Sequence, residues 1–242
     1  MNNSVIVSLR DIVVEFDGQR ILDGLNLDIH DKEFVTLLGS SGCGKTTTLR
    51  LIAGFLEPTS GKVLLKGEDI TGVPPYKRPV NTVFQKYALF PHLNVFENVA
   101  FGLRLKKMDE ETIRRKVRDM LEVVGLKGFE RRSIGQMSGG QQQRVAIARA
   151  LARKPEILVF DDSFSALDYR TDAKLREGLS KQLHDTTKII VAQRISTIRH
   201  ADKIIVLDRG EAVGIGTHEE LMKNCDVYRE IATSQLSAAE LA

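Results

Sequence analysis

The segment that decides the fold is Gly39-Ser40-Ser41-Gly42-Cys43-Gly44-Lys45-Thr46. It has the spacing G-x-x-x-x-G-K-[ST], in which glycines let backbone N–H groups surround a β-phosphate. In such a loop the lysine reaches the β- and γ-phosphates, and the threonine hydroxyl binds Mg²⁺. The apolar run Phe34–Leu38 precedes the loop and the helical pattern Lys45–Ala53 follows it, an order that suits a phosphate at a helix start. The segment therefore predicts a phosphate site; the alternative is a glycine-rich turn that happens to hold a lysine.

Short apolar runs elsewhere in the chain predict an α/β fold. Alternating or β-branched residues predict further strands at Val5–Phe16, Asn26–Ile29, Lys62–Leu65 and Val80–Phe84. Three runs rich in Ile and Val are typical of buried parallel strands: Ile157–Phe160, Lys188–Ala192 and Lys203–Leu207. Val95–Leu151 is mostly helical, with Asp109–Val124 as its clearest amphipathic stretch. We expect one domain over residues 1–242, with an α/β core at 1–85 and 156–242 and a helical insert at 86–155.

The composition is that of an ordinary globular protein, with 42% hydrophobic and 28% charged residues. The net charge of +3 is too small to indicate nucleic acid or anionic lipid as a partner. Two cysteines far apart, Cys43 and Cys225, indicate a reducing compartment rather than a disulfide framework. The chain opens with no signal peptide and contains no apolar stretch approaching the ~18 residues of a membrane span. We therefore expect a cytosolic chain that meets a membrane only through a partner.

A second element of nucleotide chemistry is the run Ile157-Leu158-Val159-Phe160-Asp161. An apolar strand that ends in an acid places a carboxylate beside the phosphates, where it can hold Mg²⁺ through its water shell. Many strands end in Asp, so this run is weak evidence alone and becomes strong only together with the phosphate loop.

The run Ser138-Gly139-Gly140-Gln141-Gln142-Gln143-Arg144 resembles the signature sequence of ABC (ATP-binding cassette) proteins. In that family the helix start and the Ser138 hydroxyl would face the γ-phosphate held by the opposite subunit, an anion that suits a helix N-terminus. The alternative is a loop with an N-cap serine, which is common by itself.

Other positions match family elements. Phe16 lies where the family keeps an aromatic that stacks on adenine, although a core residue at a strand end is an equal alternative. Gln85 matches the Q-loop glutamine beside Mg²⁺, and Asp168 belongs to the D-loop run Ser165–Asp168 that crosses the dimer interface. The resemblance also includes Thr47, after the phosphate loop, among the nucleotide-binding residues.

The resemblance implies a P-loop NTPase core with an N-terminal antiparallel β part and an inserted α-helical subdomain. It implies ATP and Mg²⁺ as cofactors, with Thr46, Gln85 and Asp161 around the metal. The implied partners are a second ABC ATPase subunit in a head-to-tail dimer and transmembrane permease subunits, met through residues near 86–104, with no nucleic acid. Such a chain would lie peripherally on the inner face of the cell membrane.

The two parts of the chain resemble different transporters. Residues 7–155 look like the ATPase subunit of a spermidine/putrescine importer. The segments that carry this resemblance are Leu37-Leu38-Gly39, Glu68–Thr71 and Asn81–Leu103. Residues 156–242 resemble cassettes of heterodimeric exporters whose nucleotide site is catalytically weak. The segments that carry this resemblance are Phe160–Phe164, Val191–Thr197 and Gly214–His218. Importer subunits of this type usually continue into a C-terminal regulatory β-domain, and we expect none here.

Two positions depart from the pattern of active family members. Asp162 stands where the family has the glutamate that orients the attacking water, and Gln193 stands at the histidine switch position. Asp is shorter by one methylene, and a displacement of about 1 Å can cost on the order of a hundredfold in rate. An amide can hydrogen-bond phosphate but cannot become cationic. We therefore expect slow hydrolysis.

Three hypotheses remain in competition. The first is a polyamine-import ATPase that binds Mg·ATP well and hydrolyses it slowly. The second is an ATP-dependent dimerisation switch, or the non-catalytic half of a heterodimeric exporter. The third, a soluble nucleic-acid ATPase, is disfavoured because such relatives usually carry two cassettes or a long coiled-coil insertion. Cys43 is either an oxidisable thiol at a helix start or an inert small residue in a tight turn.

Overall fold

A computed structural model describes residues 4–161, 183–191 and 195–235. The described residues fall into two compact units, one within residues 1–80 and 186–242 and one within residues 81–185. The strands and helices of the first unit are, in chain order, β1 (Val5–Phe16), β2 (Gln19–His30), β3 (Phe34–Leu38), α1 (Lys45–Ala53), β4 (Ser60–Leu65) and β5 (Glu68–Asp69). The second unit holds β6 (Val80–Val83), α2 (Val95–Leu105), α3 (Glu110–Val123), α4 (Gly139–Ala152) and β7 (Ile157–Asp161). The division between the units falls after Val80, the first residue of β6. The chain returns to the first unit with β8 (Thr187–Val191), α5 (Ile195–Ile198), β9 (Lys203–Asp208), β10 (Glu211–Gly216), α6 (His218–Asn224) and α7 (Asp226–Gln235).

The first sheet of the first unit is antiparallel, with the strand order β2-β1-β4-β5. β2 is longer than the predicted strand Asn26–Ile29, because it pairs with β1 from Phe16↔Gln19 to Val5↔His30 across the turn at Asp17 and Gly18. Along β2, Leu25, Leu27 and Ile29 are buried while the residues between them are more exposed. Alternation of this kind is expected of a strand with one buried face.

The remaining strands of the first unit lie in the order β10-β9-β3-β8. β3 runs parallel to both β8 and β9, and β10 runs antiparallel to β9. Val35, Thr36, Leu37 and Leu38 of β3 are all buried, as are residues 204–207 of β9. Strands buried on both faces are typical of parallel sheets, and the carboxyl end of β3 leads directly into the phosphate loop.

Three helices form most of the described part of the second unit, where β7 lies beside β6. α3 buries Ile113, Val117 and Leu121, four residues apart, and leaves most of its basic residues exposed, so it is amphipathic as predicted. The predicted helical stretch Val95–Leu151 is interrupted twice, after Leu105 and after Val123. Each new helix begins at a side-chain cap, from Asp109 before α3 and Ser138 before α4.

In the described part of the chain, no helix combines the length and the apolar character needed to cross a bilayer.

Candidate nucleotide site

The loop between β3 and α1 holds three glycines in left-handed backbone conformations: Gly39 (φ 149°), Gly42 (φ 81°) and Gly44 (φ 105°). A Cβ on Gly39 would collide with the carbonyl oxygen of Leu207, and one on Gly44 would lie 2.5 Å from Cδ2 of Leu22. Two of these positions therefore need glycine for space as well as for conformation. The loop is pressed against β9 and β2 on one side, while Ser40, Ser41 and Gly42 are exposed on the other.

The hydrogen-bond donors of this loop suit an anion. Within the described chain, the backbone N–H groups of Gly42 and Gly44 have no hydrogen-bond partner. The Lys45 ammonium donates to the carbonyls of Gly39 (2.8 Å) and Ser40 (2.6 Å) and lies 3.5 Å from Cys43 Sγ. An ammonium held by the loop's own carbonyls, beside unpaired N–H groups at a helix start, fits a phosphate chain.

The buried thiol of Cys43 is part of the same turn. Its N–H donates to the Ser40 carbonyl at 3.4 Å, and a Cβ on Gly39 would lie 2.6 Å from its sulfur. The side chain is 4% exposed, so the thiol fills space beneath the loop. This environment favours the inert alternative, since reactive thiols are partially exposed.

The two threonines that follow Lys45 lie in the first turn of α1. Thr46 and Thr47 are half-buried, and the Thr48 hydroxyl is fully buried against the Gly44 carbonyl at 2.9 Å. α1 ends at Gly54 in a left-handed conformation, and the buried guanidinium of Arg78 donates to the last-turn carbonyls of Leu51 and Ile52. The phosphate loop therefore leads into a helix that is capped at its far end.

The Arg78 side chain also reaches three other carbonyls, those of Ile70, Thr71 and Val73. Burial lowers the pKa of Arg78, and the charge of Glu57 partly opposes this. Sequence reasoning missed this residue, because no short pattern predicts that an arginine 24 positions after Gly54 will cap the helix that ends there.

Phe16 ends β1 with 47% of its surface exposed. A ring that open to solvent is not a core residue, and this weighs against the core alternative for Phe16. An exposed aromatic at a strand end is available for stacking.

Two of the residues assigned to Mg²⁺ lie in the second unit and one lies in the first. Gln85 is exposed two positions after β6, and Asp161 is the half-buried last residue of β7. Thr46, Gln85 and Asp161 all have interaction partners. The described residues contain no group of three or more His, Cys, Asp or Glu side chains able to hold a metal. A donor set of one hydroxyl, one amide and one carboxylate suits Mg²⁺, which usually keeps waters and substrate phosphates as its other ligands.

Ser138 is the N-cap of α4 within a capping box. Its Oγ accepts from the Gln141 N–H at 3.3 Å, and Gln141 Oε1 accepts from the Ser138 N–H at 3.0 Å. Ser138 and Gly139 are exposed, and Gly140 and Gln141 are half-buried. Ser138 therefore does cap α4, as the alternative interpretation of this run expected. The cap uses the serine oxygen as an acceptor, so the hydroxyl hydrogen is still available to donate to an anion.

Three predicted site residues, Asp162, Asp168 and Gln193, lie outside the described residues. Their roles remain predictions from the sequence.

Sequence reasoning also missed Arg149, which lies in the apolar run Val145–Ala152 of α4. Its guanidinium donates to the carbonyls of Ala88 and Tyr87, next to Gln85. A charged residue within an apolar helical run is a usable signal, because a buried charge requires partners.

A family model described as ABC transporter matches residues 22–165. The chain belongs to the ABC transporter family. The matched residues include the phosphate loop after β3 and the capped helix α4.

Relatives of this cassette carry the name spermidine/putrescine import ATP-binding protein PotA. The protein of Clostridium novyi (strain NT) is 46% identical over 96% of the chain, and the alignment covers 68% of that relative. The protein of Acetivibrio thermocellus is 48% identical over 95% of the chain and 64% of its own length. The chain thus spans about two thirds of the length of the relatives it matches.

Solved ABC cassettes share the fold. A dimeric bacterial ABC transporter cassette matches with a TM-score of 0.82 and 32% identity, over 88% of the chain and 98% of that structure. A bacterial Atm1-family ABC exporter with ATP bound matches with a TM-score of 0.85 and 31% identity, over 95% of the chain and 42% of the exporter. The predicted family and fold class are confirmed.

Proposed function

We propose that the chain is the ATP-binding and ATP-hydrolysing subunit of an ABC transporter that imports spermidine and putrescine. The observation that carries the proposal is the loop Gly39–Thr46, whose glycine geometry and donors suit a nucleotide phosphate chain. The substrate class follows from the names of relatives that are 46% and 48% identical. We take residues 1–242 as one ATPase domain, with the core at 1–85 and 156–242 and the helical part at 86–155.

The first unit binds the nucleotide in this proposal. The Lys45 ammonium exchanges the carbonyls of Gly39 and Ser40 for the β- and γ-phosphates, and the N–H groups of Gly42 and Gly44 donate to phosphate oxygens. Phe16 stacks on adenine with its exposed ring. Ser40, Ser41, Cys43 and Thr47 complete the loop and the helix start around the phosphates.

Thr46, Gln85 and Asp161 would hold Mg²⁺, which when bound neutralises charge on the β- and γ-phosphate oxygens. Asp162 orients the attacking water, and Gln193 donates from its amide to the γ-phosphate. Both substitutions weaken the reaction, because a short carboxylate reaches the water poorly and an amide carries no positive charge. We therefore propose slow hydrolysis with tight binding.

A second ABC ATPase subunit completes the site in this proposal. Ser138, Gly139, Gly140 and Gln141 of one subunit face the γ-phosphate of the other, where the start of α4 favours an anion. Asp168 lies in the loop that crosses between the subunits. The dimer is head to tail.

Residues 86–104 form the contact with transmembrane permease subunits in this proposal, and the chain is held in this way on the inner face of the cell membrane. Phe101 on α2 is 41% exposed, and its ring centroid lies 4.5 Å from that of Phe90. Phe90 is half-buried, so the exposed aromatic surface is that of Phe101, and exposed aromatic side chains are typical of protein interfaces. Nucleic acid has no part in the proposed function.

The test is steady-state Mg·ATP hydrolysis by the purified chain beside the double variant Asp162→Glu, Gln193→His. We expect the parent to be slow and the double variant to gain about 10- to 100-fold in rate, since it restores the water-orienting group and the cation. Lys45→Ala serves as the control that should abolish activity in both backgrounds.

Three results would contradict parts of the proposal. A parent as fast as the double variant would show that Asp162 and Gln193 support ordinary turnover. Activity that survives Lys45→Ala would place the reaction elsewhere. Failure of the parent to bind Mg·ATP would overturn the ATPase assignment itself.

One observation favours a second candidate function, an ATP-dependent dimerisation switch or the non-catalytic half of an exporter pair. The phosphate loop and signature helix are intact, whereas both substitutions fall on the hydrolytic step. A double variant that binds Mg·ATP and stays inactive would favour this candidate.

A further inference from the structure

The five residues after Gln85, 86–90, form a strained turn that we call the post-Gln85 segment. Tyr87 (φ 61°) and Ala88 (φ 46°) are consecutive non-glycine residues in the left-handed region. The Ala88 N–H donates to the Lys86 carbonyl at 2.6 Å, which closes a three-residue turn. A non-glycine residue in this region is strained and persists only when its surroundings enforce the conformation.

One side chain from α4 holds this turn. The Arg149 guanidinium donates from Nη1 to the Ala88 carbonyl at 2.8 Å and from Nη2 to the Tyr87 carbonyl at 3.3 Å. It also lies over the Phe90 ring, 5.5 Å from the ring centroid. Arg149 therefore engages three of the five residues, and the left-handed pair presents two successive carbonyls to one guanidinium.

The surroundings of Arg149 make these bonds necessary. Its neighbours on α4 are buried apolar residues such as Ala148 and Ala150, and in the described part of the chain it forms no ion pair. Burial lowers the pKa of Arg149. A guanidinium withdrawn from water is costly unless acceptors replace the water, so the segment and the arginine stabilise each other.

The segment touches the same helix again at its first residue. A Cβ placed on Gly139 would lie 3.1 Å from the Tyr87 hydroxyl, so this hydroxyl is packed against the signature sequence. Gly139 and Arg149 are ten positions apart on α4, which is about 15 Å along the axis. The segment is thus in contact with the helix at two well-separated points.

The far end of the segment is tied to α2. Asn98, which is fully buried, accepts from the Phe90 N–H at 2.9 Å and donates to the Phe90 carbonyl at 3.1 Å. Residue by residue, the chain of contacts runs from α2 through Phe90 and Arg149 to α4. All of these residues belong to the second unit.

We propose that Arg149 is a positioning residue that locks the post-Gln85 segment to α4, so that the segment and the signature residues Ser138 and Gly139 move together. The proposal rests on the proposed function for the roles of Gln85 and Ser138. A permease that displaces residues 86–104 then shifts the α4 N-terminus, and Arg149 is the side chain that ties the segment itself to this movement.

The test is backbone amide hydrogen exchange on the full chain, comparing the parent with Arg149→Met and Arg149→Lys. Met keeps length and apolar contact but has no donor, whereas Lys keeps the charge as a single point that cannot fork to two carbonyls. In Arg149→Met we expect exchange at least about tenfold faster at Tyr87, Ala88 and Phe90 and also at Gln141 and Gln142. Arg149→Lys should give an intermediate increase at the same amides.

Internal and matched controls separate locking from general stability. Amides of α3 and α1 should exchange as in the parent, since neither helix contacts the segment through Arg149. Arg153→Met makes the same substitution at the exposed end of α4 and should leave exchange at the segment and at Gln141 unchanged.

Three outcomes would overturn the lock. Faster exchange across α3 and α1 as well in Arg149→Met would show that Arg149 stabilises the whole fold rather than this contact. An increase confined to residues 86–90, with Gln141 and Gln142 protected as before, would show that the two sites do not move together. Full protection in Arg149→Lys would show that the two-carbonyl fork is not needed.

Mg·ATP binding by the same samples distinguishes a failure of the Arg149 proposal from a failure of the proposed function. We expect every variant still to bind Mg·ATP, because the phosphate loop Gly39–Thr46 is not part of the segment, with at most a severalfold loss of affinity in Arg149→Met through Gln85. If the parent binds no Mg·ATP, the proposed function fails, while the exchange pattern still decides whether Arg149 couples the segment to α4.

Discussion

Glycines 39, 42 and 44 of the phosphate loop are constrained to different degrees. All three are left-handed, but around Gly42 there is open space, whereas Gly39 faces the Leu207 carbonyl and Gly44 faces the Leu22 side chain. Gly42 is needed only for conformation, and the other two are also needed for packing. The motif spacing predicts the glycines but not this difference, since Leu22 and Leu207 are distant in sequence.

A series of glycine-to-alanine substitutions measures the difference. Gly72→Ala, at a position with open space and no left-handed angle, should be nearly neutral in the free energy of unfolding. Gly42→Ala should cost about 1 kcal/mol from backbone strain alone. Gly39→Ala should cost about 3 kcal/mol or more, because the backbone must move away from Leu207. Urea unfolding of the four proteins gives the comparison.

Equal costs for Gly39→Ala and Gly42→Ala in that series would contradict the packing contact with Leu207. The loop would then be free of β9.

At the scale of elements, the caps were more predictable than the contacts between elements. Ser138 precedes a glutamine three positions later, a local pattern that predicts the capping box at the start of α4. The same pattern, Thr217 with Glu220, starts α6. Arg149 and Arg78 act over long sequence separations, and only the fold brings them to their carbonyls.

The pair of C-terminal helices carries a titratable contact. Nδ1 of His218, at the start of α6, lies 2.6 Å from the hydroxyl of Tyr228. Tyr228 belongs to α7 and is fully buried. Burial, then the charges of Arg199 and His200, lowers the pKa of His218, and Glu219 partly opposes this. Burial raises the pKa of Tyr228 to about 12, so its hydroxyl keeps its proton and can donate to Nδ1 or accept from it, according to the tautomer of His218.

The lowered pKa of His218 predicts a pH dependence of stability. The folded state takes up the proton at lower pH than the unfolded state, whose His218 titrates near 6.5. The contribution of His218 is therefore complete above about pH 6.5 and is lost as pH falls through the folded pKa, with a slope of at most about 1.4 kcal/mol per pH unit. His218→Gln should flatten the free energy of unfolding between pH 6.5 and 5, as measured by urea titrations.

His92→Gln, at an exposed position, is the matched control and should keep the parental slope. An unchanged slope in His218→Gln would mean that burial and the nearby positive charges do not disfavour the imidazolium of His218 in the folded state.

For the whole molecule, the proposed slow site predicts a stable nucleotide-bound dimer. If Asp162 and Gln193 slow hydrolysis, Mg·ATP stays bound and continues to link two subunits through Ser138. Sedimentation should show a monomer without nucleotide and a species of twice its mass with Mg·ATP. Lys45→Ala should remain monomeric, because it removes the phosphate contact.

A parent chain that stays monomeric at high concentration with Mg·ATP, alone and with an added partner cassette, would contradict the dimer model. A dimer without nucleotide would place the interface outside the signature sequence.

The sequence by itself determined the parts of this protein that depend on neighbouring residues. Local spacing, periodicity and capping chemistry are enough for the phosphate loop, the helix that follows it, the buried strand Phe34–Leu38 and the capped start of α4. They also predict β9 to within one residue, as Lys203–Leu207 against the observed Lys203–Asp208. Only the tertiary structure decided the full length of β2, the glycine contacts with Leu22 and Leu207, and the carbonyl partners of Arg78 and Arg149. These features depend on pairing and burial between residues far apart in the chain, and a charged side chain finds its acceptors only once the surrounding apolar residues have excluded water.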